Sequence, residues 1–196
     1  NSSAAYALRG LSNHNPLFPA GFLDIAEKTG AKIDVFGQEY SQEISPSLIG
    51  LASVKNVVSL TPINNPDLKL KYQGKGNVYI YENLGTLPRV YFVSRAKFVN
   101  STQESLKHLG DKDVLSGETA IITNTAPSTI LMTSASAAGE PPKAVPDTDS
   151  VRFSKDDTTL TELSLDLKVP GYVVLNDIHY PGWKAYLDGQ ELPVLK

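Results

Sequence analysis

Two turn signals bracket a short strand near the end of this chain and leave its backbone little choice. The stretch His179–Gly189 reads His-Tyr-Pro-Gly-Trp-Lys-Ala-Tyr-Leu-Asp-Gly and holds the only tryptophan. Pro181-Gly182 suits the central pair of a type II turn, where proline presets φ and glycine tolerates a positive one. Asp188-Gly189 suits a type I′ hairpin turn. That turn sets a register: Leu187 opposite Gln190, Tyr186 opposite Glu191, Ala185 opposite Leu192, Lys184 opposite Pro193 and Trp183 opposite Val194. One face then carries Trp183, Ala185, Leu187, Leu192 and Val194, and the other carries Lys184, Tyr186 and Glu191. A slip of one residue would mix the two sets. Pro193 lacks an N–H, so its strand is expected at an edge or near its own end.

Composition narrows the function classes. In 196 residues, 41% are hydrophobic and 20% charged, enough for a core and too balanced for wholesale disorder. The formal net charge of −3, with no basic run, argues against a nucleic-acid partner. With no cysteine, disulfides, thiol catalysis and cysteine-ligated zinc are excluded. His14, His108 and His179 are far apart and lack metal-ligand spacing, so no metal and no cofactor is expected. No apolar run reaches the roughly eighteen residues of a membrane helix, and no signal peptide is visible. The chain opens on Asn1 rather than Met and stops as its last strand is under way. It therefore reads as an excised piece, which leaves flanking membrane or targeting segments open, with either further strands missing after Lys196 or an end trimmed there.

Along the chain, Pro19 opens an expected helix over Ala20–Lys28, and Gly30 stops it. Ile33–Phe36 reads as a short strand ended by Gly37. Ser45 and Pro46 predict the cap and first turn of a second helix carrying Leu48, Ile49, Leu51 and Ala52. Val54–Leu60 is β-branched and is closed by Pro62. Asn77–Tyr81 and Arg89–Val93 are apolar on both faces, which predicts burial on both sides or a place inside the sheet. Thr102 is expected to cap a helix through Leu109, stopped by Gly110, and Thr119–Thr123 reads as a strand. Ser134–Ser150, rich in Ser, Ala, Pro and Gly, is a loop or a linker. In Thr161–Val169 the leucines alternate with polar residues, the period of a strand with one wet face. Pro170-Gly171 then predicts a turn into Tyr172–Ile178, making an antiparallel hairpin. The fold class expected is α+β: a mixed portion over 1–117 with short helices on a small sheet, and an antiparallel, sandwich-like portion over 118–196.

Tyr172–Gly189 resembles the signature of the YfhO-type bacterial membrane proteins, large polytopic proteins related to glycosyltransferases that use polyprenyl-phosphate sugar donors. Their extracytoplasmic C-terminal region reads as a leucine-rich strand, then Tyr-Tyr-Pro-Gly-Trp-Lys-Ala and Asp-Gly; here His179 replaces the first tyrosine. Upstream, Val54-Lys55-Asn56-Val57-Val58 resembles the family's strand after a short helix. Val78–Asn83 followed by Leu87-Pro88-Arg89-Val90-Tyr91-Phe92-Val93 resembles its Val-Tyr-Glu-Asn and Leu-Pro-Arg segment. The matches are ordered and span about residues 48–189, with little between them. The resemblance implies an extracytoplasmic, non-catalytic domain of a multi-pass protein in cell-surface glycan assembly, binding an acceptor or shaping access. Its implied partners are the membrane-embedded remainder of its chain and a glycan or glycopolymer. The family's acidic catalytic residue is expected near the first membrane helices, so no catalytic residue is carried over. Alternative readings are a free-standing carbohydrate-binding module and a glycoside hydrolase.

Six residues are candidates for ligand contact. Trp183, Tyr180 and Tyr186 would stack on sugar rings, although the hairpin register favours Trp183 as a core anchor and Tyr186 as the exposed aromatic. Asp177 and His179 would form an acid–base pair at a strand end, the neighbourhood a hydrolase would use. Pairing Asp177 with Asp188 as glycosidase carboxylates is disfavoured, because the turn accounts for Asp188. Arg89 would contact a phosphate or sugar acid, or would pin the connection between two strands through carbonyls or Glu82.

Overall fold

The computed structural model describes residues 31–33, 39–41, 45–123, 150–157, 159–177, 179 and 182–196. The expected helix over Ala20–Lys28, most of the strand expected over Ile33–Phe36, and the Ser134–Ser150 segment up to its last residue lie outside them. The chain is α+β and rich in short strands, mostly antiparallel, with few short helices. It divides into two compact units, Asn1–Leu87 and Pro88–Lys196.

In the first unit, β1 (Ala31–Ile33) pairs antiparallel with β2 (Glu39–Ser41). Helix α1 (Pro46–Leu51) starts as its sequence predicts, with Ser45 extended at the cap and Pro46 in the first turn. Strands β3 (Asn56–Ser59), β4 (Leu68–Gln73) and β5 (Tyr79–Asn83) form one sheet in the order β3-β5-β4, all antiparallel. The strand with most apolar residues on both faces, β5, therefore takes the centre, where neighbours on each side satisfy its backbone. Its inward face packs Tyr81 with Val57, Leu68 and Ile49, and Val54, Ile63 and Tyr79 border that cluster. The buried phenol of Tyr81 accepts a hydrogen bond from the Ile63 N–H at 2.8 Å.

Asn83, at the end of β5, holds α1 to this sheet. Its side-chain N–H groups donate to the carbonyls of Pro46 (2.8 Å) and Val54 (3.0 Å), on either side of the helix. Its side-chain oxygen accepts from the Gly85 N–H at 3.0 Å. Thr86 Oγ1 donates to the carbonyls of Val54 and Asn83. The loop after β5 then lies so close to α1 that a β-carbon on Gly50 would collide with the Gly85 carbonyl. A full set of backbone partners makes this irregular connection tolerable inside the unit.

The second unit begins with β6 (Val90–Val93) and β7 (Arg95–Val99), separated only by Ser94. Helices α2 (Thr102–His108) and α3 (Lys112–Leu115) cross from β7 to β8 (Thr119–Thr123), and β7 and β8 pair in parallel. Such a pair needs a crossover, which the two helices provide. The cap of α2 is Ser101, one residue before the expected Thr102. The Ser101 backbone is extended, and its Oγ accepts from the Glu104 N–H at 3.1 Å. Val93 and Val99 are fully buried, with Val90, Val114 and Ile122 close to it.

The remaining strands are β9 (Ser150–Asp156), β10 (Thr161–Asp166), β11 (Tyr172–Leu175), β12 (Ala185–Leu187) and β13 (Gln190–Leu192). The alternation read in Thr161–Val169 holds: Leu163, Leu165, Leu167 and Val169 are partly shielded and the polar residues between them exposed. The hairpin expected between that strand and the next does not form. β10 pairs with β9, and β11 pairs with β6. The reason lies in Pro170-Gly171. Proline cannot take the positive φ that both tight hairpin turns require at their first position. Gly171 is also not left-handed, as a type II turn would need. Its glycine is there for space, since a β-carbon would strike the Phe92 ring and the Val93 carbonyl on β6.

Asn83→Asp keeps the acceptor for Gly85 but turns two donors into a carboxylate facing two carbonyls. It is expected to lower unfolding stability by about 2–3 kcal/mol in urea titration. An unchanged midpoint would show that Asn83 does not hold α1.

Candidate functional site

Arg89 sits just before β6 and meets two other strands of its unit. Its Nη1 donates to Asp156 Oδ2 at the end of β9 (2.6 Å), and its Nη2 donates to Asp177 Oδ2 after β11 (2.7 Å). The guanidinium also lies over the Phe153 ring, 5.1 Å from the centroid. The backbone beside it is tied as well: the Asn176 N–H donates to the Arg89 carbonyl at 2.8 Å, and the Asn176 side chain donates to the Pro88 carbonyl. Burial pulls the Arg89 pKa down, but the bonds to Asp156 and Asp177 outweigh it and leave the pKa raised. A planar fork with two carboxylates on one edge and an aromatic ring on its face suits arginine and not lysine. The partners differ from the carbonyls or Glu82 that the sequence suggested. Glu82 instead bonds Lys71.

This clamp absorbs two of the six candidates. The Asp177 carboxylate, expected to work with His179, is turned to Arg89. His179 is exposed. Tyr180 lies outside the described residues, as does Pro181.

The terminal hairpin forms in the register that its turn demands: Leu187 opposite Gln190, Tyr186 opposite Glu191 and Ala185 opposite Leu192. Asp188 and Gly189 both have positive φ (49° and 83°), as a type I′ turn requires, and Gly182 is left-handed too. The ladder stops before the expected Lys184–Pro193 and Trp183–Val194 pairs. Beyond it, the Lys196 carbonyl accepts from the Thr123 N–H at the end of β8. Trp183 is 39% exposed and so is not the core anchor that the register suggested. Tyr186 is 58% exposed, as expected of the outward aromatic.

A second cluster of titratable groups was not visible in the sequence. Lys97 from β7, His108 at the end of α2 and Asp111 at the cap of α3 converge. Asp111 Oδ2 lies 2.6 Å from Lys97 Nζ and 2.9 Å from His108 Nδ1, and Lys97 Nζ lies 3.3 Å from the same His108 nitrogen. One nitrogen cannot both donate to Asp111 and accept from Lys97, and the shorter contact assigns the Nδ1 proton toward the carboxylate. Asp111 thereby gives up the capping bond that its position would allow; α3 has no side-chain cap. Its bonds from Lys97, then from His108, hold the carboxyl below its ordinary value, and the bond to Asp111 raises the Lys97 pKa. The one local clue was the three-residue spacing of His108 and Asp111; Lys97 joins only through the parallel crossover. All three side chains are about a third exposed. Among the described residues, no group of three His, Cys, Asp or Glu side chains gathers to hold a metal ion.

No protein-family model, no curated protein and no solved structure matches this chain.

Two measurements probe these clusters. Double-mutant cycles should give Arg89 a larger coupling to Asp156, about 1–2 kcal/mol, than to the more exposed Asp177, about 0.5–1 kcal/mol after solvent screening. Arg89→Lys should recover less than half of either, and equal couplings would contradict the clamp described here. For Asp111 the folded pKa lies below the unfolded one, so its contribution to stability is present at neutral pH. That contribution is lost as pH falls through the folded value. Asp111→Asn should therefore flatten the acid limb of stability against pH, read from thermal midpoints, and leave a less acid-sensitive protein.

Proposed function

We propose that this chain is an extracytoplasmic, non-catalytic domain of a bacterial multi-pass membrane protein of the YfhO type, acting in cell-surface glycan assembly. Its role there is to hold an acceptor glycopolymer or to shape access to a membrane-embedded site. One observation supports the reading most. The residues that carry the resemblance are those on which the fold's irregular connections rest. Asn83 ties α1 to the sheet, Arg89 clamps three strands, and Asp188-Gly189 makes the terminal turn. A segment that recurs because a fold needs it is what a shared scaffold leaves in a sequence, and such residues need no ligand to account for them.

A carbohydrate-binding module is the second reading, and the partial exposure of Trp183 speaks for it. Leu187, Leu192 and Val194 of the same terminal segment are exposed as well. An aromatic face beside aliphatic groups offers a surface for the C–H side of a sugar ring.

The experiment is the sequence encoded upstream of Asn1, followed by glycan-array binding of the chain. About a dozen membrane helices upstream are expected, and their absence would overturn the first reading. Trp183→Ala should abolish any glycan binding while Tyr186→Ala leaves it intact. Binding that survives both substitutions would remove the hairpin as a sugar site.

A further inference from the structure

The three-stranded sheet of the first unit has a second face, away from its core. The cross-strand pairs Val58–Ile80 and Ile80–Tyr72 run across all three strands in one row. Val58 is 65% exposed, Tyr72 57%, and Leu60, just past the end of β3, 69%. Strand alternation explains the arrangement: Val57 and Tyr81 point into the core, so Val58 and Ile80 must point out. A soluble face of this kind normally carries polar residues at those positions. Here the row is aliphatic and aromatic, with no need of the core to explain it.

The next row of the same face is charged. Asn56, Glu82 and Lys69 stand opposite one another, and Lys71, at the bulge in β4, reaches Glu82 at 3.0 Å. The bond from Lys71, above all, holds the Glu82 carboxyl below its ordinary value. Residues 54–83 carry four lysines (Lys55, Lys69, Lys71, Lys75) against two acids (Asp67, Glu82). This is a positive patch on a chain whose formal net charge is −3.

We propose that this outer face of the β3-β5-β4 sheet, where the Val58–Ile80–Tyr72 row lies beside Lys69 and Lys71, docks on the surface of an anionic lipid bilayer. The sign of the patch requires a negative partner and opposes a second copy of the same face. The kind of cation separates a bilayer from an acidic protein. Residues 54–83 contain no arginine. Protein interfaces favour arginine and are depleted in lysine. A lipid headgroup layer is a diffuse negative surface, to which lysines contribute as point charges. Lysine and tyrosine also share the shape that suits the headgroup boundary, an apolar body with a polar tip, and the exposed Val58 and Leu60 supply apolar contact below it. The inference rests on the first unit alone and does not depend on the reading of the whole chain given above.

The test is co-sedimentation of the chain with vesicles of phosphatidylcholine alone or mixed with phosphatidylglycerol, at low and high salt. Binding is expected to the mixed vesicles, and to fall with salt. Lys69→Gln combined with Lys71→Gln should weaken it by about tenfold or more. Val58→Ser combined with Tyr72→Ser should weaken it as well, with the thermal midpoint unchanged because both side chains lie outside the core. Failure to bind, equal binding to both vesicle types, or insensitivity to the lysine pair would overturn the proposal. So would a concentration-dependent dimer that Val58→Ser with Tyr72→Ser abolishes, which would assign the face to a second copy.

Discussion

A buried carboxamide organises the first unit. Asn83 offers two donors and an acceptor, and it spends them on two carbonyls that flank α1 and one N–H in the following loop. A helix of six residues has too few internal hydrogen bonds to persist by itself. It stays because its ends are bonded to the sheet and Ile49 is packed against Tyr81, Val57 and Leu68. The closeness of Gly50 to Gly85 follows from the same tie, as there is no room for a side chain where the loop is drawn onto the helix. Six residues later Arg89 does comparable work in the second unit, joining β6, β9 and β11 through one guanidinium.

These ties bear on function by showing which residues a ligand need not explain. The sequence offered Arg89 and Asp177 as contacts for anions or as acid–base chemistry, and the structure pairs them with each other and with Asp156. The positive φ at Gly182, Asp188 and Gly189 likewise accounts for those residues. Exposed apolar and aromatic groups at the surface include the row of Val58 and Tyr72 and the phenol of Tyr186. Functional hypotheses for this chain belong on those surfaces.

Much of the local structure was legible because it depends on neighbours a few residues away. Pro46 starts a helix wherever its φ is acceptable, the leucines of β10 alternate with the pleat, and Thr119–Thr123 is β-branched enough to be a strand anywhere. The hairpin register was legible for the three pairs next to the turn, because a two-residue turn transmits its geometry directly to the strands it joins. Partners far along the chain were not. Pro170 speaks against a tight hairpin between β10 and β11, but nothing near Tyr172 names β6 as the partner, where Phe92 and Val93 leave no room for a side chain on Gly171. The Lys97, His108 and Asp111 cluster was equally hidden, since a parallel crossover brings a strand residue to a helix end.

The amino-acid sequence by itself determined the α+β character, most strand and helix positions, and the terminal turn, all through backbone preferences that act within a few residues. Only the tertiary structure decided which strands are neighbours, which charges meet, and whether an apolar side chain such as Trp183 or Val58 is covered. Those outcomes depend on excluded volume and on satisfying polar groups between segments distant in the chain. Periodicity and turn chemistry carry no record of either.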